Sequence, residues 1–397
     1  MNKTLIATAL AALTAAPAVS AVELYKDANN DVTLGGYAGV RILNTQGETE
    51  LVNGSSRINF NFKHKLSNGW NAYSTLEWGV NPFGDTTLVY NNDSQFDAHS
   101  SDFLSNRLAF IGLSHDKYGS ISFGKQWSAY YDTVVGTDNG LVWGGSASGV
   151  YTYEGNGAIN GVGMADKAVQ YRNSFGDFSF ALQAQLQQNQ IDAVDGGNGV
   201  NPFPPKTYAA GTAAAKTGLA SLEYNNTYGA SATYTLMDKL ALSIGGNTGK
   251  FEATRVGGSK FTETDYIYAV SATWGSLGEE GLFASANYNK NQWHQTDKNG
   301  YLIPSAYGVE AFVSYNLGNG FRPYAMYNRL EADGTYNTGA DAVTKNIMQY
   351  AAAGVEFKWD SSIMMYVEGK YDFSDYVQGG VKSEGDNALA VGIRYTF

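Results

Sequence analysis

No cysteine occurs among the 397 residues, which excludes a disulfide framework, thiol catalysis and cysteine-bound metals. Histidine is almost as scarce: His64, His99, His115 and His294 are the whole supply. None stands at i, i+2 or i, i+4 from another, the spacings that bring two rings to one metal on a strand or helix. They read as solvated or interface side chains. There is no G-x-S-x-G elbow, and no serine–histidine pair that a strand pattern would unite. Residues 275–281 are glycine-rich, but no helix follows them to complete a phosphate loop, and Glu279-Glu280 beside them reads as solvated charge. The chain is therefore read as no enzyme, with no catalytic residue, no cofactor and no metal. Beyond the N-terminus there is no run of eighteen apolar residues, and so no transmembrane helix. Basic residues are outnumbered, 26 against 37, giving a net charge of −11; such acidity argues against nucleic acid as a partner and leans toward a mild preference for cations. Proline is sparse at 7, against 47 Gly, 28 Tyr and 19 Phe, the composition of aromatic-rich strands joined by tight turns.

Lys3 is the only charged side chain before Glu23, residues 5–19 are apolar or small apart from Thr8 and Thr14, and Ala18, Ser20 and Ala21 follow. This is the pattern of a secretory signal peptide, cleaved after Ser20 or Ala21. Residues 1–21 are assigned to it and residues 22–397 to one domain, since no repeat of solenoid or propeller period is visible. Losing Lys3 moves the net charge from −11 to −12.

Dyad alternation runs through the domain. In residues 387–397, Leu389, Val391, Ile393, Tyr395 and Phe397 fall on one face, with Ala388, Ala390, Gly392, Arg394 and Thr396 on the other. Residues 33–43 place Leu34, Gly36, Ala38, Val40 and Ile42 outward and Tyr37 and Arg41 inward. Arg57, Asn59, Asn61 and Lys63 oppose Ile58, Phe60 and Phe62; Gln183, Gln185 and Gln187 oppose Leu182, Ala184 and Leu186. A row of glutamines is a poor soluble core and a sensible wall for a wet lumen. Short turns at 67–69, 116–119, 176–177, 237–239, 275–281, 317–320 and 359–362 alternate with long polar stretches at 80–102, 129–165, 191–227, 252–263, 295–304, 331–345 and 374–386. Sorted loops of this kind belong to transmembrane barrels. Residues 219–225 also alternate, but they are read as loop, with the eighth strand starting near Tyr228. The count is then sixteen, with eighteen as the open alternative: an all-β, 16-stranded antiparallel transmembrane β-barrel closed by pairing of the first and last strands. Trp70, Trp78, Trp274, Trp359, Tyr366 and Tyr371 fit aromatic girdles at the membrane interfaces.

Several segments resemble the trimeric general-diffusion porins of Gram-negative outer membranes. The opening Val22-Glu23-Leu24-Tyr25-Lys26-Asp27, followed by Val32-Thr33-Leu34-Gly35-Gly36, is similar to that family's mature N-terminus and first strand. Asn106-Arg107-Leu108-Ala109-Phe110-Ile111-Gly112-Leu113, then Gly124-Lys125-Gln126-Trp127 and Tyr131-Asp132, resemble its fourth and fifth strands and their exit into the third loop. Tyr171-Arg172-Asn173-Ser174 before a Phe-Gly turn matches the strand after it. The resemblance implies a third loop folded into the pore, facing a basic wall across an eyelet. Arg57, Arg107 and Arg172 would form the wall, with Lys125 at a position where the family often has arginine, Glu77 as a pore-lining acid and Asp138 as the first loop acid. Tyr37, Arg41 and Trp127 would line the pore further. The family's following proline and glutamate are replaced by Leu141 and Val142, before Trp143-Gly144-Gly145, leaving Asp132 and Glu154 as nearby substitutes for the second acid. It also implies a homotrimer in the outer membrane, in contact with lipid and lipopolysaccharide, passing ions and small hydrophilic solutes. Phe397 would be read by the outer-membrane assembly machinery. A substrate-selective sugar or oligosaccharide channel is the alternative; it needs a line of inward aromatics, and parity supplies Tyr37, Tyr73 and Trp127.

Overall fold

The structure is a computed structural model that describes residues 21–45, 47–83, 86–90, 96–100, 103–152, 156–186, 190–192, 219–255, 258–298, 301–339 and 342–397. The segment read as a signal peptide, apart from Ala21, lies outside them, as do Glu154 and Gln187. Sixteen strand positions form one closed antiparallel sheet. They are β1 (Asn30–Thr45), β2 (Glu48–Asn53 and Arg57–Lys65), β3 (Trp70–Val80), β4 (Leu104–His115), β5 (Gly119–Trp127), β6 (Met164–Phe175), β7 (Phe178–Gln185 and Gln190–Asp192) and β8 (Leu219–Met237). There follow β9 (Leu240–Arg255), β10 (Lys260–Trp274), β11 (Gly281–Gln292), β12 (Ser305–Asn316), β13 (Phe321–Ala332), β14 (Val343–Lys358), β15 (Ile363–Asp372 and Asp375–Gln378) and β16 (Val381–Glu384 and Ala388–Thr396). Each pairs with its sequence neighbour, as βhairpins require, and β16 closes the ring on β1 from Tyr37↔Thr396 to Thr45↔Ala388.

The seam is longer than one strand. Val22–Lys26 pairs with the opening of β1, Val22 opposite Leu34, so it continues the ladder position that β16 leaves at Phe397. The Phe397 amide donates to the Gly36 carbonyl at 3.1 Å where the two pieces meet. No edge is left there for lipid to face.

Side chains sort as the alternation predicts. In β16, Leu389, Val391, Ile393 and Tyr395 are exposed, while Ala388 and Ala390 are buried. All seven short turns fall where they were read, between the strand ends just given. Three long stretches are shorter than predicted. The ladder takes all but residues 256–259 of 252–263, and 374–386 carries a small hairpin of Asp375–Gln378 with Val381–Glu384. The third is β8, which starts at Leu219, so residues 219–225 are strand, not loop. A bulge explains the misreading. Tyr224 faces Phe251 but Thr227 faces Gly249, so one extra residue inverts the parity of β8 at that point. Leu222 and Tyr224 then turn inward to a buried cluster with Phe251, Ala253 and Leu302. Tyr366 also departs from expectation. It is buried on the inner face, not in a girdle, because it shares the parity of Met364, Glu368 and Lys370. Trp274, Trp359 and Tyr371 are exposed, as girdle residues should be.

Beside the seam, Gly36 lies against the backbone of β2. Its φ is +139°, and a Cβ would lie 2.3 Å from the Arg57 carbonyl oxygen. Gly36→Ala is expected to weaken the closed barrel by about 1–3 kcal/mol, read as a lower unfolding temperature in detergent. Gly278→Ala, with nothing within 4 Å of the added carbon, should leave that temperature unchanged.

Candidate functional site

Residues 128–163 connect β5 to β6 and carry a one-turn helix, α1 (Tyr131–Val134). The connection folds back against the inner face of the sheet, and polar side chains of many strands hold it. Gln183 on β7 accepts from the Ala129 amide at 3.1 Å and donates to the Gly161 carbonyl at 2.8 Å; Gln185 donates to the Ala158 carbonyl at 2.6 Å. Asn247 on β9 donates to the Asn160 carbonyl at 2.7 Å, and Asn289 on β11 to the Ala147 carbonyl at 2.6 Å. Glu310 on β12 accepts from Thr137 Oγ1 at 2.6 Å and the Ala147 amide at 2.8 Å. Gln183 and Gln185, read as part of a wet wall, are therefore a seat of the loop. A buried amide is too costly to leave unpaired, and an irregular segment needs side-chain acceptors where a strand has a ladder.

The far end of the loop is anchored at β15. Glu368 accepts from the amides of Leu141, Val142 and Trp143 at 2.8, 3.0 and 2.9 Å, and from the Tyr324 hydroxyl at 2.6 Å. Trp143 is buried in a cluster with Phe312, Tyr324 and Met326, and Leu141 and Val142 pack against it. Where the resemblance supplies a second acid, this chain has an apolar anchor. Val142 is part of that anchor.

The predicted wall divides into separate groups. Glu77 on β3 accepts from Arg107 Nε at 2.8 Å, and Arg57 Nη1 lies 3.9 Å from the same oxygen. A bulge between β3 and β4, beside Glu77 and Trp78, sets the register there. Tyr37 lies beneath the Arg57 guanidinium, with the ring centre 4.8 Å from its carbon. Arg172 belongs elsewhere, paired with Asp132 on α1 and donating to the Trp127 carbonyl at 3.3 Å. Lys125 pairs with Asp166 at 2.7 Å. Asp132 is thus engaged at the root of the loop. Arg41 donates to Ser55 Oγ at 2.9 Å and to the Leu141 carbonyl at 3.4 Å, joining β1 to the anchored end of the loop. Trp127 stacks on Tyr131 with ring centres 4.0 Å apart.

Asp138 sits on the loop, its Oδ2 accepting from the Tyr151 hydroxyl at 2.5 Å and the Tyr131 hydroxyl at 2.9 Å. Gly145, at φ +69°, leaves room for it, since a Cβ there would be 2.8 Å from Asp138 Oδ1. Burial pushes the Asp138 carboxyl above the ordinary carboxylate range, opposed by the two hydroxyls and by the positive charges of Arg57 and Arg107. Arg57, Arg107, Glu77 and Asp138 therefore form one electrostatic neighbourhood, with Arg172 and Lys125 each neutralised outside it.

Some contributors were not anticipated. His294 is fully buried, not solvated: Nδ1 lies 2.6 Å from Asp265 Oδ1 and Nε2 2.7 Å from the Gly149 carbonyl, tying the returning limb of the loop to β10. Asp265 also accepts from Asn160 at 3.0 Å and Tyr224 at 2.8 Å. A lone histidine carries no spacing signal, so only its three-dimensional partners reveal it. Glu310 and Glu368 had a signal, inward parity in apolar strands, which reads equally well as lumen charge.

A family profile described as Gram-negative porin matches residues 7–375. The chain is similar to outer membrane protein S2 of Salmonella typhi, with 25% identity and 100% of both chains covered. Its fold is similar to that of Salmonella typhi OmpF in complex with daunomycin, at a TM-score of 0.68 and 18% identity, covering 95% of this chain and 100% of the other. A trimer form of in-vitro folded OmpT of Vibrio cholerae matches with a TM-score of 0.59 and 16% identity over 93% and 100% of the two chains.

Glu368→Ala would leave the amides of Leu141, Val142 and Trp143 without their acceptor. Losing a charged acceptor costs about 1.5–3 kcal/mol, so hydrogen exchange at these amides should speed up roughly ten-fold or more while exchange in the β1–β16 seam stays at its wild-type rate.

Proposed function

We propose, for a chain that belongs to the Gram-negative porin family, a passive water-filled channel of the outer membrane for ions and small hydrophilic solutes. The observation that carries this reading is the loop of residues 128–163 held against the inner wall, with Asp138 on the loop within electrostatic reach of Arg57 and Arg107. Opposed charges across a narrow wet gap orient water, and apolar solutes that cannot match that order are disfavoured. Small polar solutes pass by size. Arg57, Arg107, Glu77 and Asp138 are the eyelet; Tyr37, Arg41 and Trp127 line the approach; Arg172 and Lys125 act chiefly on the root of the loop through Asp132 and Asp166.

The family relationship and the trimeric form of one structural neighbour support a homotrimer. Outer-membrane lipid and lipopolysaccharide surround it, and Phe397, at the end of the closing strand, is the residue offered to the assembly machinery. The aromatic faces argue for diffusion over a dedicated sugar path. Trp127 is stacked on Tyr131, and Tyr37 is occupied by cations, so these rings do not form an open slide.

Arg57→Gln and Arg107→Gln should each move the reversal potential in a salt gradient toward cations. Arg172→Gln should move it less, because Asp132 already balances that charge. Unchanged reversal potentials for both Arg57 and Arg107 variants would remove the eyelet assignment.

The carboxyl of Asp138 also predicts a pH response. With its pKa raised by burial, falling pH neutralises it before an ordinary carboxylate, removing negative charge from the loop and moving selectivity toward anions. Asp138→Asn should show the acid-like selectivity already at neutral pH, and its reversal potential should lose that step on acidification.

A further inference from the structure

Most cations of the inner face described so far have a carboxylate within reach. Arg57 and Arg107 share Glu77, Arg172 has Asp132, Lys125 has Asp166, Arg322 has Glu356 at 2.6 Å and Lys370 has Asp372 at 2.8 Å. Arg394 is different. It stands on the inward parity of β16, two residues beyond Gly392 and opposite Gly39 of β1 and Met364 of β15. None of these three offers a side-chain acceptor. Among the described residues Arg394 has no ion pair, and its buried Nε has no hydrogen-bond partner. Its guanidinium carbon instead lies 4.0 Å over the ring of Tyr37, which is also within 4.8 Å of the Arg57 guanidinium.

A guanidinium held by a ring face keeps its charge and its donor fork free. Three guanidinium groups (Arg57, Arg107 and Arg394) thus gather near Tyr37, and among the described residues Glu77 is the one carboxylate paired with any of them. We infer that Arg394, an inward cation with no carboxylate partner among the described residues, forms with Tyr37 and Arg57 a binding step for small anions bearing a carboxylate or phosphate group. The inference rests on the channel reading above and adds to it a ligand class and a residue. Planar oxyanions suit it because an arginine fork can meet two of their oxygens at once.

The absence of native cysteine makes Arg394→Cys a single labelling site in the folded channel. In a potassium chloride gradient the variant's anion-to-cation permeability ratio should fall by about ten-fold, because one unit charge at roughly 6 Å in a water-like medium shifts anion and cation by about three-fold each in opposite senses. A cationic thiosulfonate applied to the inserted channel should restore the ratio, and an anionic one should lower it further. Inorganic phosphate, which should reduce chloride current through the wild type, should lose that effect in the unlabelled variant. Arg394→Gln reports the same two quantities where the cysteine variant does not assemble. A wild-type permeability ratio in both variants, or identical action of the two reagents, would overturn the inference. If Arg57→Gln and Arg107→Gln still shift selectivity, only the role of Arg394 has failed. If those are silent as well, the channel reading of the wall fails with it.

Discussion

Every backbone amide and carbonyl that crosses a bilayer needs a partner inside the protein, because lipid offers none. In this chain that requirement is met by one closed sheet, and the β1–β16 pairing is the bond set without which the others would leave two open edges. The joint is made by two separate segments, Val22–Lys26 and Ala388–Thr396, sharing one ladder position on β1. Closure has a further consequence. Once the hydrogen bonds and the lipid face are settled by the wall, the inner face is free to be polar, apolar or charged as the contents demand.

The inner face uses that freedom unevenly. On β12, β13 and β15 it offers Phe312, Tyr324, Met326, Glu310 and Glu368, a mix of apolar surface and buried acceptors that holds an irregular loop. On β1 to β4 and β16 it offers guanidinium groups, with Glu77 and Tyr37 between them. The loop is therefore bound at one side and electrostatically opposed at the other. Its apolar end, Leu141-Val142-Trp143, is a structural choice for the bound side: a carboxylate at Val142 would stand beside Glu368, whose oxygens already take up the local amides.

Much of this was legible in the sequence, and the physical reason is the period of two. Strand parity alone put Tyr37, Arg41, Arg57, Glu77 and Arg394 on the inner face, and turn chemistry located the seven short connections. What parity cannot do is count across a bulge, and the one between Tyr224 and Thr227 inverted β8 and hid its first turn of strand. Nor can it distinguish a polar side chain that meets water from one that meets a loop. Gln183 and Gln185 look the same in either case until the Ala129 amide and the carbonyls of Gly161 and Ala158 are placed beside them. His294 lay beyond both rules, since its partners Asp265 and Gly149 are distant in sequence.

Net charge is the weakest guide of all to such a protein. The whole chain carries −11, which by itself points toward cations. Charges more than about 8–10 Å from the path are largely screened at physiological salt, so surface acids contribute little to an ion in the narrow region. On the proposed channel reading, the balance there falls to the few groups that lack a close partner. Pairing Arg172 with Asp132 fastens the loop and pairing Lys125 with Asp166 joins β5 to β6 at its root, and the burial of Asp138 weakens its hold on a negative charge. In the channel proposed above, an acidic molecule and a basic inner wall are compatible, because the field an ion meets depends on which charges are left unpaired within one screening length of it.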